Sequence, residues 1–177
     1  MISRLKPQEL INRYETEEKY GAINSECVWQ DQNRHMVNFR LPTELITHPQ
    51  YNFVIPFLPM RPKVTTLYIN RDMQEPLGLA IDNILKADLV RELKEFGGCF
   101  NIRASRGSSK LSAHAWGLAI DINMTGNALG ETPHMLLKFV GCFEEAGFFW
   151  GGRYRRPDGM HFSIAGFDKP ATGGPYV

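Results

Sequence analysis

Ser112-Ala-His114-Ala-Trp-Gly117-Leu-Ala-Ile-Asp121-Ile-Asn123 is the stretch on which the reading of this chain turns. From Leu118 it alternates: Leu118, Ile120 and Ile122 fall on one side of an extended backbone, and Ala119, Asp121 and Asn123 fall on the other. That pattern predicts a half-buried strand with a carboxylate on its polar face. A buried, ionised Asp121 must find a cation or several hydrogen-bond donors. Seven residues of straight strand would hold His114 more than about 20 Å from Asp121. For both to serve one site the chain must fold back between them. Ala115-Trp116-Gly117 is the expected turn, because Gly117 can take backbone angles closed to other residues.

Similar patterning extends on both sides. Val64 to Asn70 reads as a strand from its β-branched and aromatic content. Pro76 suits a first helical turn, and Leu77, Ala80, Ile81, Ile84, Leu85, Leu89, Leu93 and Phe96 follow at helical spacing, predicting a core helix that runs to Gly97-Gly98. Cys99 to Arg103 alternates as a strand. A second helix is expected from Pro133 to Ala146 with Gly147 as its cap, and strands at Phe148 to Trp150 and His161 to Ile164. A short amphipathic helix is expected over residues 7–20. These elements predict an α+β fold: one small domain over residues 1–177, an antiparallel sheet with helices packed on it, a motif-bearing core over 75–165 and an irregular tail over 166–177.

The 177 residues carry 20 Lys+Arg against 19 Asp+Glu, so bulk charge does not steer the chain to nucleic acid or an acidic membrane. No secretory signal and no membrane-spanning stretch is legible, which predicts synthesis in a cytoplasm and no stable membrane insertion. Cys27, Cys99 and Cys142 form no CxxC pair and are odd in number, as suits a reducing compartment. A chain of this length needs no structural metal to fold. A metal site found in it would therefore be functional.

His114, Asp121 and His161 are metal-ligand types on polar strand faces or strand ends. Any lone histidine is more often a surface or core residue, and His35, His48 and His134 are read that way. Two histidines and one carboxylate together leave a tetrahedral zinc one open position for water, the pattern of catalytic sites. Asp158 stands three residues before His161 in Asp158-Gly-Met-His161, where a turn through Gly159 would aim its carboxylate at that water as general base. Pro157-Asp158-Gly159 is also an ordinary turn signal, and both readings can hold together. Arg153, Arg155 and Arg156 form a basic cluster that suits a solvated loop or a substrate rim. Trp116 and Trp150 suit core packing, and Trp150 is also carried as a substrate-side candidate.

Ser112-Ala-His114-Ala-Trp-Gly117-Leu-Ala119-Ile-Asp121 resembles the SxHxxGxAxD signature of the zinc D-alanyl-D-alanine carboxypeptidase and L-alanyl-D-glutamate endopeptidase family, which includes VanY-like enzymes and phage endolysins. Asp158-Gly-Met-His161-Phe162 resembles its second signature, with Phe149-Trp150-Gly151-Gly152 upstream. The resemblance covers residues 98–165. It implies one zinc per chain on His114, Asp121 and His161, Asp158 as general base, and an arginine that holds the substrate and stabilises the oxyanion. Arg103 is the first choice for that arginine and Arg106 its rival. Ser112 is matched to the family's serine. Asp rather than Glu before the last histidine is found in many of the family's phage endopeptidases.

The resemblance thus implies a peptidoglycan peptidase that hydrolyses an amide of the stem peptide, expected at L-alanyl-D-glutamate, with D-alanyl-D-alanine carboxypeptidase as the alternative. A wall-binding or virion structural module is the reading from another class. As a phage lysin the chain would be a monomer made in the host cytoplasm, released by a holin-like partner, and active on the wall from the periplasm.

Overall fold

A computed structural model of the chain describes residues 19–21, 23, 29, 32–106 and 111–166. The helix expected over residues 7–20 lies outside the described residues except at Lys19 and Tyr20, which are helical. Cys27 and residues 167–177 of the tail also lie outside them.

The fold is α+β. Strands β1 (Met36–Arg40) and β2 (Thr66–Asn70) form an antiparallel ribbon. Strands β3 (Phe96–Gly98), β4 (Ala119–Ile122), β5 (Phe149–Trp150) and β6 (His161–Ser163) form a second antiparallel sheet in the order β3-β4-β6-β5. Helices α1 (Gln32–His35) and α2 (Thr43–Ile46) are single turns, and α3 (Gln74–Lys86) and α4 (Leu137–Glu144) are the longer pair. The apolar stripe of α3, with Leu77, Ala80, Ile81 and Ile84 buried, packs on α4, and Asn83 donates from its side chain to the Cys142 carbonyl at 3.1 Å. From α4, Phe143 reaches Phe162 of β6 with ring centroids 4.4 Å apart, which ties the helix layer to the sheet that carries the site. Among the described residues no helix is long and apolar enough to cross a membrane.

Three predicted boundaries are corrected. Helix α3 stops at Lys86 rather than running to Phe96. The Leu89 N–H donates to the Ile84 carbonyl and the Asp88 N–H to the Leu85 carbonyl, with Asp88 left-handed at φ 54°. This is a Schellman stop with aspartate where glycine is usual, so the stop signal was hidden. Leu89, Val90 and Leu93 stay buried from a following 3-10 turn, Val90–Glu92, and keep up the appearance of helical spacing.

The strand expected at Cys99 to Arg103 is instead Phe96–Gly98, paired to β4 with a bulge between Phe96 and Gly98. A Cβ on Gly97 would sit 2.9 Å from the Asp121 Cβ and 2.6 Å from the Met124 Sδ. Glycine there lets β3 close on the strand that carries Asp121, so Gly97-Gly98 is part of the sheet and not a helix stop. Helix α4 begins at Leu137, four residues later than expected. Upstream, the His134 N–H donates to the buried Asn127 side chain at 2.9 Å and holds the 133–136 segment extended. Gly147 does cap the helix end, at φ 97°.

Candidate metal centre and cleft

His114 lies on a buried 3-10 turn, Ala113–Trp116, that ends at Gly117 with φ 66°. There the chain reverses: the Gly117 N–H donates to the His114 carbonyl and the Leu118 N–H to the Ala113 carbonyl. The ribbon clamps this reversal. At the end of β2, Asn70 donates from its side chain to the Trp116 carbonyl and from its backbone to the Gly117 carbonyl, both at 3.0 Å. A Cβ on Gly117 would sit 2.8 Å from the Met36 Sδ and 2.9 Å from the Asn70 nitrogen, so glycine is required both for its φ and for space.

The register of β4 and β6 puts Asp121 directly opposite His161. With the turn in place, His114 Nε2 lies 3.0 Å from Asp121 Oδ1 and 3.2 Å from His161 Nδ1, and the latter two atoms are 3.1 Å apart. The His114 Nδ1–H donates to the Cys99 carbonyl at 3.0 Å, so Nε2 presents its lone pair to the other two ligand atoms. Lone pairs and a carboxylate oxygen do not converge in this way without protons or a cation between them. Ligand atoms about 2.0 to 2.1 Å from a tetrahedral zinc are roughly 3.3 Å from one another, close to the edges of this triangle. Two imidazoles and one carboxylate also suit zinc chemically. The three expected ligands are therefore brought together in a group able to hold a metal, and among the described residues no other histidine joins them.

The electrostatics match this design. Burial alone would raise the Asp121 carboxyl, but the charge and hydrogen bonds of His114 and His161 outweigh it and hold that group far below the usual carboxylate range. Asp158 behaves in the opposite way. Burial raises its pKa, the His161 charge opposes the rise, and the charge of Asp121 adds to it. Its Oδ1 is buried and accepts no hydrogen bond among the described residues.

The turn that bears Asp158 rests on close backbone approach. The Asp158 N–H donates to the Gly151 carbonyl at 2.9 Å, and the His161 N–H to the Asp158 carbonyl at 3.1 Å. A Cβ on Gly151 would lie 2.5 Å from that carbonyl oxygen, and one on Gly152 would enter the Trp150 ring. Phe149-Trp150-Gly151-Gly152 is thus the surface on which the Asp158 turn is seated.

An open cleft of about 360 Å³ lies over the triangle. Asp158, Arg103, Arg106 and Ser112 all line it, as do Arg155 and Arg156. Trp150 does not. It is 3% exposed, and its indole N–H donates to the Gly159 carbonyl at 2.7 Å, so its place is under the Asp158 turn rather than against substrate. Tyr154 also lines the cleft, its ring centroid 6.2 Å from that of His161, and sequence reading missed it because nothing in its spacing sets it apart from its basic neighbours. The Cys99 carbonyl was missed too, since a backbone acceptor leaves no mark on residue type.

A His-His-Asp triangle with two of its members on sheet strands, beside a half-buried carboxylate in an open cleft, has the make-up of a site that can hold a metal and support hydrolysis. Residues 106–164, a third of the chain, match the family model described as D-alanyl-D-alanine carboxypeptidase. Over that segment the chain is similar to that family, and the three residues able to hold a metal, His114, Asp121 and His161, all fall within the matched stretch. No curated protein and no solved structure matches the chain.

Proposed function

We propose that the protein is a zinc endopeptidase of the peptidoglycan stem that cuts the L-alanyl-D-glutamate bond. The observation that carries this reading is Asp158, whose buried Oδ1 has no hydrogen-bond partner among the described residues, in a cleft also lined by Asp121 and His161 of the ligand triangle. When bound by those three residues, zinc supplies a lowered pKa for water and a polarised scissile carbonyl. Asp158, half-buried in the same cleft, takes the proton of the attacking water and returns it to the leaving amine. Arg103 or Arg106 steadies the substrate carbonyl or carboxylate from the cleft wall, and Ser112 lines the same wall.

Aspartate at position 158 supports the endopeptidase reading through the resemblance to phage enzymes. The description of the matching family supports the second reading, a D-alanyl-D-alanine carboxypeptidase. Mass analysis of purified peptidoglycan digested with and without chelator separates them. Chelator-sensitive release of stem peptides that begin at D-glutamate supports the endopeptidase, whereas loss of terminal D-alanine alone overturns it. The same reading makes the protein a monomeric phage lysin with one zinc, made in the host cytoplasm and passed to the wall by a holin-like partner. Lysis of intact host cells only when a membrane permeabiliser is co-expressed is the expected outcome.

A further inference from the structure

Four arginines line the cleft, and they enter it from two sides. Arg103 and Arg106 follow β3, at one edge of the four-stranded sheet, and Arg155 and Arg156 lie in the connection between β5 and β6, at the other edge. Among the described residues none of the four is in an ion pair. Arg153, in the same run as the second pair, is by contrast tied to Glu144 through two hydrogen bonds of 2.5 and 2.8 Å. Arg156, exposed, lies beside Gly130. A Cβ on Gly130 would sit 3.4 Å from its Nε, and the Gly130 N–H donates to the Pro157 carbonyl at 2.6 Å.

Among the described residues the carboxylates lining the cleft are Asp121, committed to the ligand triangle, and Asp158, which feels the charge of Arg106. The whole chain has a formal net charge of +1, so this excess of positive charge belongs to the cleft and not to the surface at large. A substrate with one carboxylate would engage one wall and cover the guanidinium groups of the other without giving them a partner, which is unfavourable on desolvation. Guanidinium forks pair with carboxylates in bidentate fashion, so two separated pairs match two separated carboxylates.

We propose that Arg155 and Arg156 form a second carboxylate-reading wall, facing that of Arg103 and Arg106, and that the cleft selects peptides bearing at least two carboxylates. This rests on the peptidase reading of the same cleft. The probes are the peptide N-acetyl-L-Ala-γ-D-Glu-L-Lys-D-Ala-D-Ala and two analogues, one amidated at the glutamyl α-carboxyl and one at the C-terminus. With the zinc-loaded protein, each amidation lowers kcat/KM about tenfold, an effect of the size expected for a lost charge-assisted contact. The Arg155→Gln/Arg156→Gln protein loses a similar factor through KM with kcat little changed, and becomes indifferent to one of the two amidations. Arg103→Gln/Arg106→Gln becomes indifferent to the other. Indifference of the wild type to one amidation, or unchanged sensitivity of Arg155→Gln/Arg156→Gln to both, overturns the proposal.

Calorimetric binding of the three peptides to zinc-loaded Asp158→Ala separates this outcome from failure of the peptidase reading. Binding graded by carboxylate number supports the second wall whichever bond is cut. Equal binding of all three overturns it. Graded binding without cleavage by the wild type overturns the peptidase reading alone.

Discussion

The two turns that feed the cleft are built in opposite ways. The His114 turn is closed on every side: its ring is 3% exposed, its Nδ1–H is bonded to the Cys99 carbonyl, and β2 holds its exit through Asn70. The Asp158 turn is equally well seated through its backbone, yet its side chain keeps a buried oxygen with no hydrogen-bond partner among the described residues. A ligand must stay where it is as its metal comes and goes, and saturated bonding provides that. A base must exchange a proton, and an oxygen already saturated by the protein would be a poor one. On the proposed function, the difference separates a holding region from a reacting region of one site.

The largest effects should come from breaking the holding region. His114→Ala or His161→Ala is expected to abolish zinc binding, measured by atomic absorption on purified protein, and to reduce peptidoglycan hydrolysis to background. Retention of a full zinc complement by either variant would remove the triangle as the metal site. Asp158→Ala should separate the two regions, with zinc content unchanged and kcat down about 10²- to 10⁴-fold. Normal lysis of permeabilised cells by that variant would refute its role as base.

Glycine substitutions sharpen the contrast at smaller amplitude. Gly117→Ala forces a side chain into a left-handed position beside Met36 and Asn70 and should destabilise the fold by about 1 to 3 kcal/mol while weakening zinc affinity. Gly151→Ala, which presses on the Asp158 carbonyl at 2.5 Å and more lightly on the His161 Cβ at 3.1 Å, should destabilise by a similar amount and lower kcat, with zinc affinity weakened less than by Gly117→Ala. Thermal unfolding alongside zinc titration distinguishes the pair.

The smallest effect concerns pH. Because the pKa of Asp158 is raised in the folded protein, its ionised form opposes folding above that pKa, and this penalty vanishes at acid pH where the carboxyl is protonated in both states. Metal-free Asp158→Asn should therefore be more stable than the metal-free wild type at neutral pH. The gain should fade as pH drops through the ordinary carboxylate range. A gain that grows on acidification would contradict the assigned direction.

Much of the site was legible because its chemistry rests on residue type. His114, Asp121 and His161 are metal-ligand types by residue and do come together, Asp158 lines the cleft beside them, and Gly117 marks the reversal that lets the first two meet. Trp150 was misplaced for the opposite reason: an indole lines a cleft or props a turn with equal ease, and only its bond to the Gly159 carbonyl decides. The end of α3 was hidden because Asp88 takes a left-handed conformation without being glycine. The apolar residues beyond it kept the helical rhythm from inside a different structure.

By itself, then, the sequence determined the α+β class, the set of residues able to hold a metal and the turn at Gly117, since each depends on side-chain chemistry or on local backbone freedom. Tertiary structure alone decided that Gly97-Gly98 is a strand closing on Asp121, that the Cys99 carbonyl orients His114, and that arginines 50 positions apart in sequence face one cleft. Those features depend on backbone atoms and on contacts between distant segments. Such contacts leave no local signature, because any residue can supply a carbonyl and any surface can carry an arginine until the sheet order brings its edges together.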